Sequence, residues 1–225
     1  MLPMRFISFL GLTFFLSGYI NLSAQTMKDC LQRMPEPMFP FLTATNLADM
    51  PDFIQSGMQA KVKNRFSETS EMKVMTDDFV EIKLGDLTSV QMKLLPMKDG
   101  EKRIAWITTV EVPEKDSRLR LFTTEWEELS AADYFKWPAV DSFALRGDSL
   151  QSDADQERVK YENTLRKLRE VPLFYVRLDA AHTYLEVSWS GIERLSEAER
   201  AEIEPYLRKE AYRFRWNGDV FERME

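Results

Sequence analysis

Few residues in this chain have the chemistry to catalyse a reaction. There is one histidine and one cysteine. His182 closes the run Asp179-Ala180-Ala181-His182 and would have to be the base of any Ser-His-Asp or Cys-His arrangement. No glycine-framed nucleophile elbow accompanies it. The run has the composition of a turn between strands, where a histidine is ordinarily a solvated polar residue. Cys30 would be a nucleophile or an intermolecular link only if something favoured its thiolate. No positive group stands directly beside it, so the expectation is an idle thiol near a flexible N-terminus.

Carboxylate chemistry leaves no linear motif. Asp77-Asp78 would suit calcium or an acid–base pair, although adjacent acids in a turn more often cap backbone N–H groups. Glu125, Glu127 and Glu128 surround Trp126, and a glycosidase would need two of them facing each other across a cleft. Met72-x-x-Met75 and Met34/Met38 would give a thioether-only soft-metal site, but methionine is also common core filler. Arg166, Lys167 and Arg169 suit a solvated last helical turn that complements the helix dipole. With 8 glycines in all, no phosphate-cradling loop appears, nor any zinc-ligand spacing. No catalytic, cofactor-binding or metal-binding residue is therefore assigned, and no cofactor is expected. An enzyme is not the favoured class.

The elements that would position these residues follow from apolar periodicity. Residues Gln25 to Phe66 suggest helix and turn, with Asn46-Leu47-Ala48-Asp49 as a capping box, Pro51 in a first turn, and Phe53, Ile54, Met58 and Val62 on one face. From Glu71 to Glu127 the period changes to two. Val80, Ile82 and Leu84, then Val90, Met92 and Leu94, then Ile104, Trp106, Thr108, Val110 and Val112, then Leu119 and Leu121, each mark one strand face. Short turns at Gly85-Asp86, Asp99-Gly100 and Pro113-Glu114-Lys115-Asp116 imply an antiparallel meander of four or five strands, one face buried and one wet. A turn-rich stretch, Trp137 to Asp155, precedes a helix over Asp155 to Arg169 that ends before Pro172.

Strand period then returns, with Phe174, Val176 and Leu178 and with Leu185, Val187 and Trp189. Phe174 and Tyr175 point to opposite faces, and Tyr184 lies opposite Leu185. Ser196-x-x-Glu199 opens a helix carrying Ile203 and Leu207, which Pro205 bends or divides. Asn217-Gly218 between Trp216 and Val220-Phe221 predicts a closing type I′ hairpin. The expected class is α+β, with mostly antiparallel β meanders and helices packed on one face, or two helix-plus-sheet halves side by side. The expected organisation is 1–24 a signal peptide, 25–140 a helix plus meander, 141–155 a turn-rich connection, and 156–225 a second half that forms one compact unit with the first. Met38-Phe39-Pro40-Phe41-Leu42 faintly echoes Ile203-Glu204-Pro205-Tyr206-Leu207, which hints at a duplication.

The N-terminus predicts export. Arg5 precedes an apolar run from Phe6 to Ile20, and Leu22-Ser23-Ala24 places a small residue before Gln25. This is a secretory signal with cleavage after Ala24. The apolar run is too short for a membrane span, and Cys30 lies too far downstream for lipidation. The net charge is −7, and removing the signal takes away one more positive charge, which argues against nucleic-acid partners. A single cysteine excludes an intramolecular disulfide, so an exported fold of this kind rests on its core.

Met34-Pro35, Pro40-Phe41-Leu42-Thr43, Asn46-Leu47-Ala48-Asp49-Met50, Thr76-Asp77-Asp78 and Met92-Lys93-Leu94-Leu95-Pro96, in this order and at these spacings, resemble a Bacteroidales secreted protein family of unknown function (domain of unknown function 3256). The resemblance implies an address in the periplasm and a fold. It carries over no functional residue. Three functions fit: a non-catalytic binding or interaction module with a protein or other macromolecular partner in the envelope, a carboxylate-based hydrolase, and a structural component of an envelope assembly. The first is favoured, because the second run of strands is rich in aromatic residues that an uncovered sheet face would present to a partner.

Overall fold

A computed structural model describes residues 25–111, 114–145 and 154–224. The signal segment, Val112, Pro113, Gly147-Asp148-Ser149 and Ser152-Asp153 lie outside the described residues.

The chain opens with α1 (Met27–Gln32), a 3₁₀ turn at Glu36–Met38, and α2 (Ala44–Gln55). The cap of α2 is Thr43, not Asn46. Thr43 Oγ1 accepts from the Asn46 amide, and Asn46 Oδ1 accepts from the Thr43 amide, so Asn46 is the third-residue partner of the box. Pro51 lies in the middle of α2, not in its first turn. It is buried there, and its ring removes one ladder donor. Phe53 and Ile54 pack on the core, but Met58 lies beyond the helix and is exposed, and Val62 belongs to a strand.

Seven antiparallel strands follow in chain order: β1 (Ala60–Lys63), β2 (Thr69–Met75), β3 (Phe79–Lys83), β4 (Thr88–Pro96), β5 (Lys102–Val110), β6 (Asp116–Thr123) and β7 (Glu128–Leu129). The short outer strands β1 and β7 exceed the four or five strands expected from sequence. Neither is long enough to show alternation.

The meander does not have a wet face. One face, with Val80, Ile82, Val90, Met92, Ile104 and Trp106, is covered by α1 and α2. Here Trp106 meets Phe39, Phe122 and Trp126 at ring-centroid distances of 5.5, 5.8 and 5.9 Å, contacts worth about 1 kcal/mol each beyond burial. The other face, with Phe79, Leu95, Ala105, Ile107, Leu119 and Leu121, is covered by the second half of the chain.

That second half contains α3 (Ala154–Glu170), β8 (Phe174–Leu178), β9 (Tyr184–Trp189), α4 (Glu197–Ile203), β10 (Tyr212–Trp216) and β11 (Phe221–Arg223). The four strands form a second antiparallel sheet in chain order. Ser196 and Glu199 make the expected capping box, and Pro205 turns the end of α4 into a 3₁₀ turn. The closing hairpin is present, but its turn is not type I′. Of the pair Asn217-Gly218 only Gly218 has positive φ, at 96°. Asn217 instead accepts from the amides of Asp219 and Val220 through Oδ1, a turn held by a side chain. Its tip docks on the β4–β5 turn, where the Lys98 amide donates to the Gly218 carbonyl and Lys98 pairs with Asp219.

The two sheets meet through a polar seam. The amides of Val176 and Leu178, on the open edge of β8, donate to Ser117 Oγ at 3.0 Å and Gln91 Oε1 at 3.0 Å. Lys93, fully buried, donates to the Ala180 carbonyl at 2.8 Å and pairs with Asp78 Oδ2 at 2.9 Å. Side chains of the first sheet thus satisfy the strand edge of the second. No described helix is long and apolar enough to cross a membrane.

Candidate functional site

The residues singled out from sequence fall into three places. His182 and Asp179 form the turn between β8 and β9. Asp179 Oδ1 accepts from the amides of Ala181 and His182 at 2.8 and 2.7 Å and faces His182 Nδ1 at 3.1 Å. Partial burial opposes ionisation of Asp179, but the His182 and Ala181 amides and the imidazole together hold its carboxyl below the ordinary range. The His182 ring is largely exposed and stacks on Tyr184, with centroids 5.2 Å apart. The pair organises a turn.

Asp77 and Asp78 do not cap the turn before β3. Thr76 does, its Oγ1 accepting from the amides of Asp78 and Phe79. Asp78 instead supplies the carboxylate for buried Lys93, and Asp77 offers its backbone carbonyl to the Met27 amide at 2.7 Å. Lys93 had no sequence signal. In Met92-Lys93-Leu94-Leu95 strand alternation assigns it to a wet face, and only the arrival of the second sheet buries it.

Glu125 and Glu127 do share a concave surface. An open concavity of about 1170 Å³ is lined by α1, the β4–β5 turn and the β6–β7 turn, with Asp29, Arg33, Glu101, Lys102, Glu125 and Glu127 among its residues. Glu125 is exposed and pairs with Arg33 at 3.4 Å. Glu127 is exposed as well. Glu128 lies on the neighbouring strand in a two-point pair with Arg120, at 2.8 and 2.7 Å, which holds its carboxyl below the ordinary range. Trp126, at φ 68°, turns its indole inward to donate to the Cys30 carbonyl at 3.0 Å. The loop therefore places Glu125 and Glu127 outward by burying the tryptophan between them.

Cys30 is not an idle thiol on a flexible end. It is fully buried in α1, and burial pushes its pKa up, the condition of an inert structural cysteine. Met34 and Met72 are buried in the same core, with Met38 and Met75 packed against it. Among the described residues no three of His, Cys, Asp and Glu are grouped to hold a metal ion. The basic residues of α3 are ion-paired: Arg166 with Glu170, Lys167 with Glu199 of α4, and Arg169 with Asp141 at 2.8 and 2.5 Å. They fasten the helix to its neighbours.

One surface remains open. The inner face of the second sheet, with Val176, Leu185, Val187, Phe214 and Trp216, is buried. The outer face carries Tyr175 and Arg177 on β8, Tyr184, Glu186 and Ser188 on β9, and Arg213 and Arg215 on β10, all half-buried or exposed. Tyr184 was expected here from its alternation with Leu185, and Tyr175 from its alternation with Phe174. The arginines were overlooked. Their signal was present in Tyr212-Arg213-Phe214-Arg215-Trp216, where charges occupy every outward position. Glu186 sits between two of them, 2.6 Å from Arg177 and 2.8 Å from Arg213. These pairs, Arg177 first, hold its carboxyl below the ordinary range.

Residues 19–221 match the family described as Protein of unknown function (DUF3256). No curated protein matches the chain. A solved structure described as a domain of an uncharacterized protein from Porphyromonas gingivalis W83 has a similar fold. Its TM-score is 0.73 and its sequence identity 25%, over 88% of this chain and 96% of that one.

Proposed function

Since the chain belongs to the family described as Protein of unknown function (DUF3256), we propose that it is an exported, non-catalytic interaction module that works in the periplasm after removal of residues 1–24. The observation that supports this reading is the outer face of the second sheet. Tyrosines and arginines, the side chains richest in contact energy at interfaces, lie there on a rigid ladder that no other element covers. The residues with catalytic types are meanwhile committed to structure: His182 to a turn, Asp78 to Lys93, Glu128 to Arg120 and Cys30 to the core.

A photo-reactive side chain at Ser188, in the middle of this face, tests the reading in the native envelope. An adduct that disappears in Arg213→Glu supports it, and a folded protein that yields no adduct counts against it. Export is checked by intact mass, which should begin at Gln25.

One observation favours a second reading, a carboxylate hydrolase. Glu125 and Glu127 line the same concavity. Both are exposed, which is the reverse of the burial that tunes a catalytic acid. Hydrolysis of any glycoside or ester by the purified chain, abolished in Glu125→Gln or Glu127→Gln, would displace the first reading.

A further inference from the structure

Resting on the interaction-module reading, we infer that the outer face of the second sheet binds an anionic polysaccharide bearing carboxylate or sulfate groups. The register sets out the charges. Arg177, Glu186 and Arg213 lie side by side across β8, β9 and β10, and Tyr184 and Arg215 form the next row. Neighbouring positions are about 4.8 Å apart across strands and about 6.8 Å apart along one strand. Arg213 and Arg215 are thus two guanidiniums on one face within reach of successive anionic groups on a polymer.

Glu186 takes the Nε and one terminal nitrogen of Arg213 and one terminal nitrogen of Arg177. It fixes both guanidiniums while leaving other N–H donors of each directed outward. Arg215 pairs with no carboxylate among the described residues, although Glu222 lies across from it in the ladder. In a chain of net charge −7, this face has an excess of positive charge, complementary to a polyanion.

A polypeptide fits less well. Strand addition needs a free sheet edge. The β8 edge is occupied by Ser117 and Gln91, and the Phe221 amide of β11 donates to the Tyr134 carbonyl. What the face offers is side-chain donors and two amphipathic rings, Tyr175 and Tyr184, on a surface whose backbone groups are already paired. That suits a ligand of repeated anionic groups and apolar ring faces.

The test titrates the purified chain with polygalacturonate, which is carboxylated, and dextran sulfate, against neutral dextran and polyglutamate. The expected result is binding to at least one anionic polysaccharide, weakening with salt, and about tenfold weaker in Arg213→Gln/Arg215→Gln, the loss of charge-assisted contacts. Arg215→Gln alone should weaken binding without disturbing any ion pair. Arg118→Gln, which removes an exposed charge on the first sheet, should change nothing. Absence of binding at low salt, equal affinity for polyglutamate, or equal weakening by Arg118→Gln would overturn the proposal. A Ser188 adduct to a polypeptide without polysaccharide binding would overturn it and leave the module reading standing, whereas absence of both would remove both.

Discussion

Replacing Lys93 with methionine tests the seam that joins the two sheets. The substitution keeps most of the apolar stem and removes the ammonium. Two partners are then left. The Ala180 carbonyl loses its donor at 2.8 Å, and Asp78 loses its counter-charge at 2.9 Å. An unsatisfied buried carbonyl costs about 1–3 kcal/mol. Breaking a fully buried ion pair costs about 3–5 kcal/mol, but the Asp78 side chain is 45% exposed, so water recovers much of that charge's solvation. The net expectation for Lys93→Met is about 2 kcal/mol. For a domain of this size that lowers Tm by about 4–8 °C.

Asp78→Ala should cost more, about 3 kcal/mol, because it leaves the ammonium buried with only a carbonyl as partner. The double substitution should cost less than the sum of the two. Urea unfolding with an unchanged m-value gives the three differences. If Lys93→Met is neutral or stabilising, the ion pair contributes nothing net, and packing alone holds the sheets together.

Gly218→Val should destabilise by about 2–3 kcal/mol, read by thermal melting, because φ is 96° and a Cβ would stand 2.9 Å from Lys98 Cγ. Cys30→Ser, neutral if the thiol were free at a flexible end, should instead cost about 1–2 kcal/mol by placing a hydroxyl in an apolar core. A thiol reagent should modify wild-type Cys30 only as the protein unfolds. Glu199, hydrogen-bonded first by Lys167 and then by Ser196, has its pKa lowered from 4.5 to about 2. A depressed carboxylate stabilises the fold fully above its unfolded pKa and loses that contribution as pH falls towards the folded value. The stability difference between wild type and Lys167→Met should therefore be constant above about pH 5 and shrink between about pH 4.5 and 2, as acid unfolding at matched temperature will show.

Much of the fold was legible wherever the code is local. Alternation at Val80–Leu84, Val90–Leu94 and Leu119–Leu121 found the central strands, and Ser196-x-x-Glu199 found a helix start, because pleat and cap geometry act within a few residues. Both failures at helix α2 were also local, but ambiguous. Thr43 and Asn46 are each good caps, and the sequence does not say which side chain faces outward from the first turn. The burial of Lys93, the loss of the meander's wet face and the burial of Cys30 were illegible for another reason. Each depends on an element many residues away coming to rest on that spot. The tyrosines of the candidate face followed from alternation. The arginines followed from the same alternation but were discounted, since charge on an outward strand position is ordinary until the opposite side is known to be full.

The seam also bears on how the chain acquires its shape. The bonds that close the β8 edge join residues 59 and 87 positions apart, so the second sheet cannot complete its hydrogen bonding until the first has formed. Synthesis from the N-terminus supplies the partners in the right order, the meander being finished before β8 emerges. Released by proteolysis at the connection before α3, the C-terminal piece would lose Ser117, Gln91 and Lys93 together and expose a raw strand edge beside an apolar face. Such a fragment should associate with itself rather than persist as a monomer, which makes the first half of the chain a resident chaperone for the second.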